Sequence, residues 1–192
     1  MLTSWRIQNF KACRDTGQLK LAPLTVILGA NSVGKSSLGH LLTALKQTTV
    51  SRQAAQPVDF GDGQSLIDLG SFAQCLHQGD LQQPLSFELR WRLPDIQQLQ
   101  VAHQQTPSSI DELSLAVSIT ADQAQQPLLQ SMHYTGYLHG QEQLKINYHN
   151  SQPTELQVHM LQPQPQQYSI ALEKGSTPGR FYQLSPSDPA EA

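Results

Sequence analysis

The most informative segment of the chain reads Gly29-Ala30-Asn31-Ser32-Val33-Gly34-Lys35-Ser36 and fits the pattern G-x-x-x-x-G-K-[S/T] at every fixed position. Immediately before it, Leu24-Thr25-Val26-Ile27-Leu28 is apolar on both faces, which is typical of a strand covered on both sides in an α/β sheet. After it, leucines recur at the spacing of one helical face, at Leu38, Leu41, Leu42 and Leu45. The order strand, glycine-containing loop, helix predicts a phosphate-binding loop.

Each fixed position of this loop has a physical reason. A chain wrapped around a polyphosphate points successive backbone N–H groups inward, in conformations that glycine adopts readily, so Gly29 allows a sharp exit from the strand and Gly34 a close approach to the β-phosphate. Lys35 supplies positive charge to the β- and γ-phosphate oxygens, and the Ser36 hydroxyl is a suitable Mg²⁺ ligand. Ser37 can donate to the α-phosphate, and the amino end of the following helix favours anions.

The remainder of the chain favours strands. Trp5 and Ile7 alternate with polar residues near the start, and Ser71 is placed to cap a short helix ending at Leu76. Beyond Pro84, six short alternating segments predict an antiparallel meander, over residues 87–91, 113–119, 132–138, 144–148, 156–160 and 168–172. Residues 97–109 fit either a helix or a loop. We therefore predict an α/β P-loop NTPase lobe over residues 1–82, an antiparallel β-rich subdomain over residues 83–184 and a flexible tail over residues 185–192.

Composition excludes several classes of protein. A net charge of −3 and a pI near 6.1 are incompatible with a strongly basic DNA-coating protein. Cys13 and Cys75 are far apart and form no Cys-x-x-Cys pair, and the seven histidines show no metal-ligand spacing, so neither a disulfide framework nor a zinc site is expected. No stretch approaches the roughly 18 apolar residues of a membrane span. We expect a cytoplasmic protein with no membrane partner.

Several segments at the amino end carry a resemblance to a known family. They are Trp5-Arg6-Ile7-Gln8-Asn9-Phe10-Lys11, the loop with its Asn31 and its double serine Ser36-Ser37, and the later Asp68-Leu69-Gly70-Ser71-Phe72. Together they resemble the start of ATP-binding-cassette heads of the SMC/RecF kind, and most closely the bacterial AAA-family ATPases related to the overcoming-lysogenisation-defect proteins. The resemblance covers about residues 1–80.

The resemblance implies ATP and Mg²⁺ as ligands and assigns roles to individual residues. The nucleotide would be held by Gly29, Ala30, Asn31, Ser32, Val33, Gly34, Lys35, Ser36 and Ser37, with Ser36 also on Mg²⁺. It further implies that Lys11 lines the phosphates, although a surface lysine is the alternative, and that a glutamine such as Gln74 or Gln78 senses Mg²⁺ and the γ-phosphate. The implied partners are a second ATPase head or a C-terminal half, and DNA by family analogy alone.

The chain departs from this family in the elements of hydrolysis. Neither a Walker B strand nor a Leu-Ser-Gly-Gly-like signature is present, and the one Asp-Glu pair, Asp111-Glu112, follows Thr106-Pro107-Ser108-Ser109 rather than an apolar strand. That pair is better explained as a solvated strand entrance. We therefore expect the N-terminal part of a larger ATPase, or a truncated relative, acting in DNA maintenance or anti-phage defence, with hydrolysis dependent on elements supplied elsewhere.

Three other classes of function are compatible with the loop to different degrees. The chain could be a non-catalytic interaction module whose β-rich half docks a partner, with the loop as a relic or a nucleotide-dependent switch. A small P-loop kinase is disfavoured because the sequence after Pro84 is rich in strands and poor in lysine. A GTPase is disfavoured because no D-x-x-G or N-K-x-D follows the loop.

Overall fold

The computed structural model describes residues 1–31, 33–51, 56–99, 108–152, 155–162 and 165–172. Their strands are β1 (Leu2–Phe10), β2 (Cys13–Asp15), β3 (Leu19–Lys20), β4 (Leu85–Leu99), β5 (Ser108–Ala121), β6 (Pro127–Leu138), β7 (Gln141–His149), β8 (Glu155–Met160) and β9 (Gln166–Ala171). Their α-helices are α1 (Lys35–Val50) and α2 (Phe72–Cys75), with a 3-10 turn over His77–Gly79. No helix within these ranges is long and apolar enough to cross a bilayer.

The nine strands form one sheet in the order β2-β1-β4-β5-β6-β7-β8-β9, with β3 also paired to β1. Every strand pair in the described part of the chain is antiparallel. The tight turn between β6 and β7 has His139 and Gly140 at positive φ, the arrangement that suits the twist of a two-residue hairpin. The meander predicted after Pro84 is therefore confirmed, but the predicted α/β P-loop NTPase fold is wrong, because the molecule is built on an antiparallel sheet.

Residues 24–28 account for much of this correction. They form no strand, and their side chains lie in solvent, with Leu24 82% and Leu28 87% exposed. A central strand needs a hydrogen-bonding neighbour on each side, but β1 is already occupied by β4 along one edge and by β2 and β3 along the other. The apolar run therefore finds no place beside β1, and it pairs with no strand among the described residues.

The sheet has one apolar and one polar face because strand residues alternate in register across it. One apolar row runs through Ile7, Phe87, Val117, Met132, Tyr148 and Leu156. The neighbouring row on the opposite face runs through Arg6, Glu88, Ala116, His133, Asn147 and Gln157. The predicted division at residues 82 and 83 falls between β1 and β4, which are hydrogen-bonded neighbours; the predicted tail lies outside the described residues.

Helix α1 belongs to the same core as the apolar face. Its predicted leucine stripe is confirmed in part: Leu41 and Leu45 are buried, while Leu42 is partly exposed. The buried Gln47 donates through Nε2 to the carbonyls of Asp59 (2.9 Å) and Ile67 (3.1 Å) and accepts from the amide of Ile67 (3.1 Å). These bonds tie the segment after α1 back onto the helix, because a buried amide must find partners for both of its ends.

Candidate functional site

The predicted phosphate loop is exposed and leads directly into α1. Gly29, Ala30, Asn31 and Val33 are exposed, and Ser32 lies outside the described residues. Gly34 is the N-cap residue of α1, at φ 91°, a left-handed conformation that glycine adopts without steric cost. No side chain caps this helix end and its first turn holds no acidic residue, so its positive dipole end faces solvent without a neutralising group from α1 itself.

The loop closes on the side chain of Lys35. The Nζ atom of Lys35 donates to the carbonyl oxygens of Gly29 (3.0 Å) and Ala30 (2.5 Å). The first two residues of the loop therefore contact the side chain of the lysine that follows Gly34. Ser37 is half-buried and its amide donates to the carbonyl of Gly34 (3.0 Å), whereas Ser36 is exposed. The Lys35 ammonium thus lies against the curled backbone of the loop, next to the uncapped amino end of α1. The exposed Ser36 hydroxyl could serve as one ligand of a Mg²⁺ ion that takes its other ligands from phosphate and water.

The β1–β2 turn supports the loop from one side. A Cβ atom added to Gly34 would lie 2.6 Å from the Cβ atom of Ala12, so the two residues are in direct contact. Lys11, predicted to line the phosphates, instead directs its ammonium group to the carbonyl of Leu69 (3.0 Å). Its amide donates to the carbonyl of Cys75 (2.8 Å), and its own carbonyl accepts from Nδ1 of His77 (2.9 Å). The structure thus brings Ala12 to the loop and uses Lys11 to fix the turn.

The segment Asp68-Leu69-Gly70-Ser71-Phe72 builds the amino end of α2. Asp68 accepts from the amide of Gly70 (2.9 Å), and Ser71 and Gln74 form a reciprocal capping box. The prediction that Ser71 caps a short helix is confirmed. Gln74, considered as a sensor of Mg²⁺, uses its Oε1 atom to accept from the amide of Ser71 (2.9 Å), so its side chain stabilises the helix end.

Asn9 is a residue whose importance the sequence analysis missed. It is buried at φ 55°, and its Nδ2 atom donates to the carbonyls of Asp80 (3.1 Å) and Gln83 (2.6 Å). Its Oδ1 atom accepts from the amide of His77 (3.1 Å). The signal available in the sequence was its residue type alone, since asparagine is enriched among non-glycine residues in the left-handed region.

Asn9 also borders a polar groove of about 620 Å³ that contains the second glutamine considered as a sensor, Gln78. Gln78 lies at φ 55°, and Arg14 and His77 complete one wall. The groove shares Gln8 and Ser86 with the polar side of the sheet, whereas α1 packs with the residues of the apolar side. Gln78 therefore belongs to the polar side of the molecule.

The Asp111-Glu112 pair lies in β5, and its carboxylates bond to residues of β4, of β1 and of the β6–β7 turn. Glu112 binds Arg90 (2.7 Å) and accepts from the hydroxyl of Thr3 (3.1 Å). Asp111 accepts from the amide of His139 (3.0 Å) and lies 3.2 Å from its Nδ1 atom. The pair thus lies inside a strand, with both carboxylates in structural contacts.

No protein-family model matches the chain, and no curated protein matches it either. The resemblance of residues 1–80 to SMC/RecF-like ATPases therefore stays a prediction.

Proposed function

We propose that residues 29–37 bind the phosphates of Mg-ATP. The proposal is carried by the contact of the Lys35 ammonium with the carbonyls of Gly29 and Ala30, because it curls the loop around a cation beside the amino end of α1. Phosphate oxygens are favoured at such a place by the positive dipole end of a helix and by its unpaired N–H groups. Left-handed Gly34 provides the change of direction that joins loop and helix.

Binding requires an exchange of partners at Lys35. Its two bonds to neutral carbonyl oxygens would be replaced by bonds to the β- and γ-phosphate oxygens, in which the acceptor is charged as well as the donor. The hydroxyl of Ser36 would supply a protein oxygen to Mg²⁺, and Ser37 would donate to the α-phosphate. The first-turn amides of α1 would complete the anion site without movement of the helix.

In this proposal the chain binds ATP but does not hydrolyse it alone. Hydrolysis would need a carboxylate that activates water and a signature helix, which a second ATPase head or a C-terminal half would supply in an SMC/RecF-like ATPase. Asp111 and Glu112 do not take this role, because Glu112 is paired with Arg90 and Asp111 accepts from the backbone amide of His139. We place the protein in the cytoplasm, in DNA maintenance or anti-phage defence, where contact with DNA rests on family analogy.

Titration of the full chain with fluorescently labelled ATP and Mg²⁺ tests this function. The Lys35→Ala variant should bind at least about 10-fold more weakly, since a hydrogen bond to a charged group contributes about 1.5–3 kcal/mol. The matched control is Lys46→Ala, which removes an exposed lysine from the same helix and should leave affinity unchanged. Equal binding by wild type and Lys35→Ala, with both variants folded by circular dichroism, would refute the proposal.

A second candidate function rests on a separate observation. Leu24, Val26 and Leu28 expose most of their side-chain surface next to the loop, and contiguous exposed apolar surface marks sites of protein interaction. These residues favour an interaction module that docks a partner, with the loop as a relic or a switch. Absence of ATP binding would favour an interaction module in which the loop is a relic. A change in the binding of a hydrophobic dye to residues 24–28 on addition of ATP would favour a switch.

A further inference from the structure

Two histidines meet on the polar face of the sheet, away from the phosphate loop. His133 on β6 pairs with Asn147 on β7, and Ser131 pairs with His149, so the two histidines are diagonal neighbours on adjacent strands. Their ring centroids are 4.8 Å apart and the ring planes are inclined by 62°. Both rings therefore lie on the same side of the sheet, side by side, across one strand pair.

A hydrogen bond to Asn147 fixes which ring nitrogen of His133 is free. Its Nδ1 atom lies 2.9 Å from Oδ1 of Asn147, and an amide oxygen can accept but not donate. Nδ1 is therefore the protonated nitrogen of the neutral ring, and Nε2 keeps its lone pair. A hydrogen bond of this kind on the far nitrogen is the usual way in which proteins orient a histidine that binds a metal.

The separation of the rings matches joint coordination of one ion. A metal about 2.0–2.1 Å from an imidazole nitrogen lies about 3 Å from the ring centre, so two imidazoles at an angle of about 90–110° have centroids about 4.5–5 Å apart. The observed 4.8 Å falls within this interval.

We propose that His133 and His149 form a binding site for a divalent transition metal, with water in the remaining coordination positions. Imidazole suits Cu²⁺, Ni²⁺ and Zn²⁺, whereas Mg²⁺ and Ca²⁺ prefer oxygen ligands. His133 also lines a hollow of about 210 Å³ on the polar face, together with Ser131 and Ser118. The described residues contain no group of three or more His, Cys, Asp or Glu side chains able to hold a metal, so the protein would supply these two ligands only.

Titration of the full chain with Cu²⁺, followed by electron paramagnetic resonance, tests the site. The wild-type spectrum of the tightest site should show two coordinated nitrogens, and affinity should follow the order Cu²⁺ above Ni²⁺ above Co²⁺. His133→Gln and His149→Gln should each lose one nitrogen and at least about 10-fold in affinity. Because either variant tests the site, a folding defect in one leaves the other informative.

The control is His159→Gln, which removes a histidine on β8 opposite Lys145, on the same polar face. It should retain both the wild-type spectrum and the wild-type affinity. The proposal is overturned if His149→Gln binds Cu²⁺ as tightly as wild type, or if His159→Gln weakens binding as much as the other two variants do. In either case the ring contact is an edge-to-face packing of two imidazoles and no more.

Discussion

Asn9, the last residue but one of β1, has a left-handed conformation, and its amide group makes three hydrogen bonds to the backbone of residues 77–83. The alternation of Trp5 and Ile7 correctly predicts that β1 buries one face. It does not predict the hydrogen bonds of Asn9, because period-2 patterns report on side-chain burial and carry no information about backbone groups distant in sequence. For the same reason, the sequence does not predict the hydrogen bonds of the buried Gln47.

Cys75 gives a prediction about alkaline stability. Its thiol is buried and donates to the carbonyl of Leu69 (3.6 Å), and burial raises its pKa to about 11. The folded state thus holds this proton more tightly than the unfolded state does. Its stabilising contribution is complete below about pH 9 and is lost as the pH rises towards 11. Urea unfolding of the wild type at pH 8, 9.5 and 10.5 should show a falling free energy.

Cys75→Ala is the variant that isolates this effect, because it removes the thiol while keeping a small apolar side chain. Its free energy of unfolding should start lower at pH 8 and fall less steeply between pH 9 and 10.5. Tyr134, whose pKa burial raises to about 12, contributes a similar loss only from about pH 10 upward. A slope in Cys75→Ala as steep as that of wild type below pH 10 would show that the thiol does not carry the effect.

At the scale of elements, helix α1 and the antiparallel strands could be predicted from the sequence. Whether a strand pairs with residues 24–28 could not. The leucine spacing located α1, and alternation located β4 to β9, since each pattern reflects the period of its own element. An apolar run indicates that a segment is suited to burial on both faces. Whether a strand lies beside it depends on the rest of the sheet, where β2, β3 and β4 already occupy β1.

Two glycines of the loop and helix should respond in opposite ways to alanine. Gly34→Ala places a Cβ atom at φ 91° and against Ala12, so we expect a loss of about 1–2 kcal/mol in the free energy of unfolding. Gly39→Ala adds a methyl group in open space within α1 and should gain up to about 1 kcal/mol. Urea denaturation measures both. Equal stability of the two variants would contradict the conformation of Gly34.

On the scale of the whole molecule, the sheet separates two surfaces. Its apolar side packs with α1 in a core that includes Ile7 and Leu115, and its polar side holds the two histidines. The α/β prediction was wrong at this scale because residues 24–28, predicted as a central strand, form no strand, and the sheet is built from antiparallel pairs instead. Direction is set by the pairing of distant strands, such as β1 with β4, which local patterns do not encode.

The exposed apolar segment should contribute little to the stability of this chain. Val26 is 69% exposed, so Val26→Ser should change the free energy of unfolding by no more than about 0.5 kcal/mol. Leu115→Ala, in the core, should cost about 2–5 kcal/mol. Urea unfolding of both variants at one pH makes the comparison. A loss above 1.5 kcal/mol for Val26→Ser would mean that residues 24–28 are packed in solution.

Ala12 touches Gly34, and the preceding residue, Lys11, is anchored to Leu69, Cys75 and His77. The turn between β1 and β2 thus contacts Gly34 on one side and the short helix α2 on the other. If residues 29–37 bind phosphate as we propose, a ligand that widened the loop would press on this turn and on the anchors of Lys11. His77, one of these anchors, also lines the polar groove, so the groove is where such a displacement would be detected.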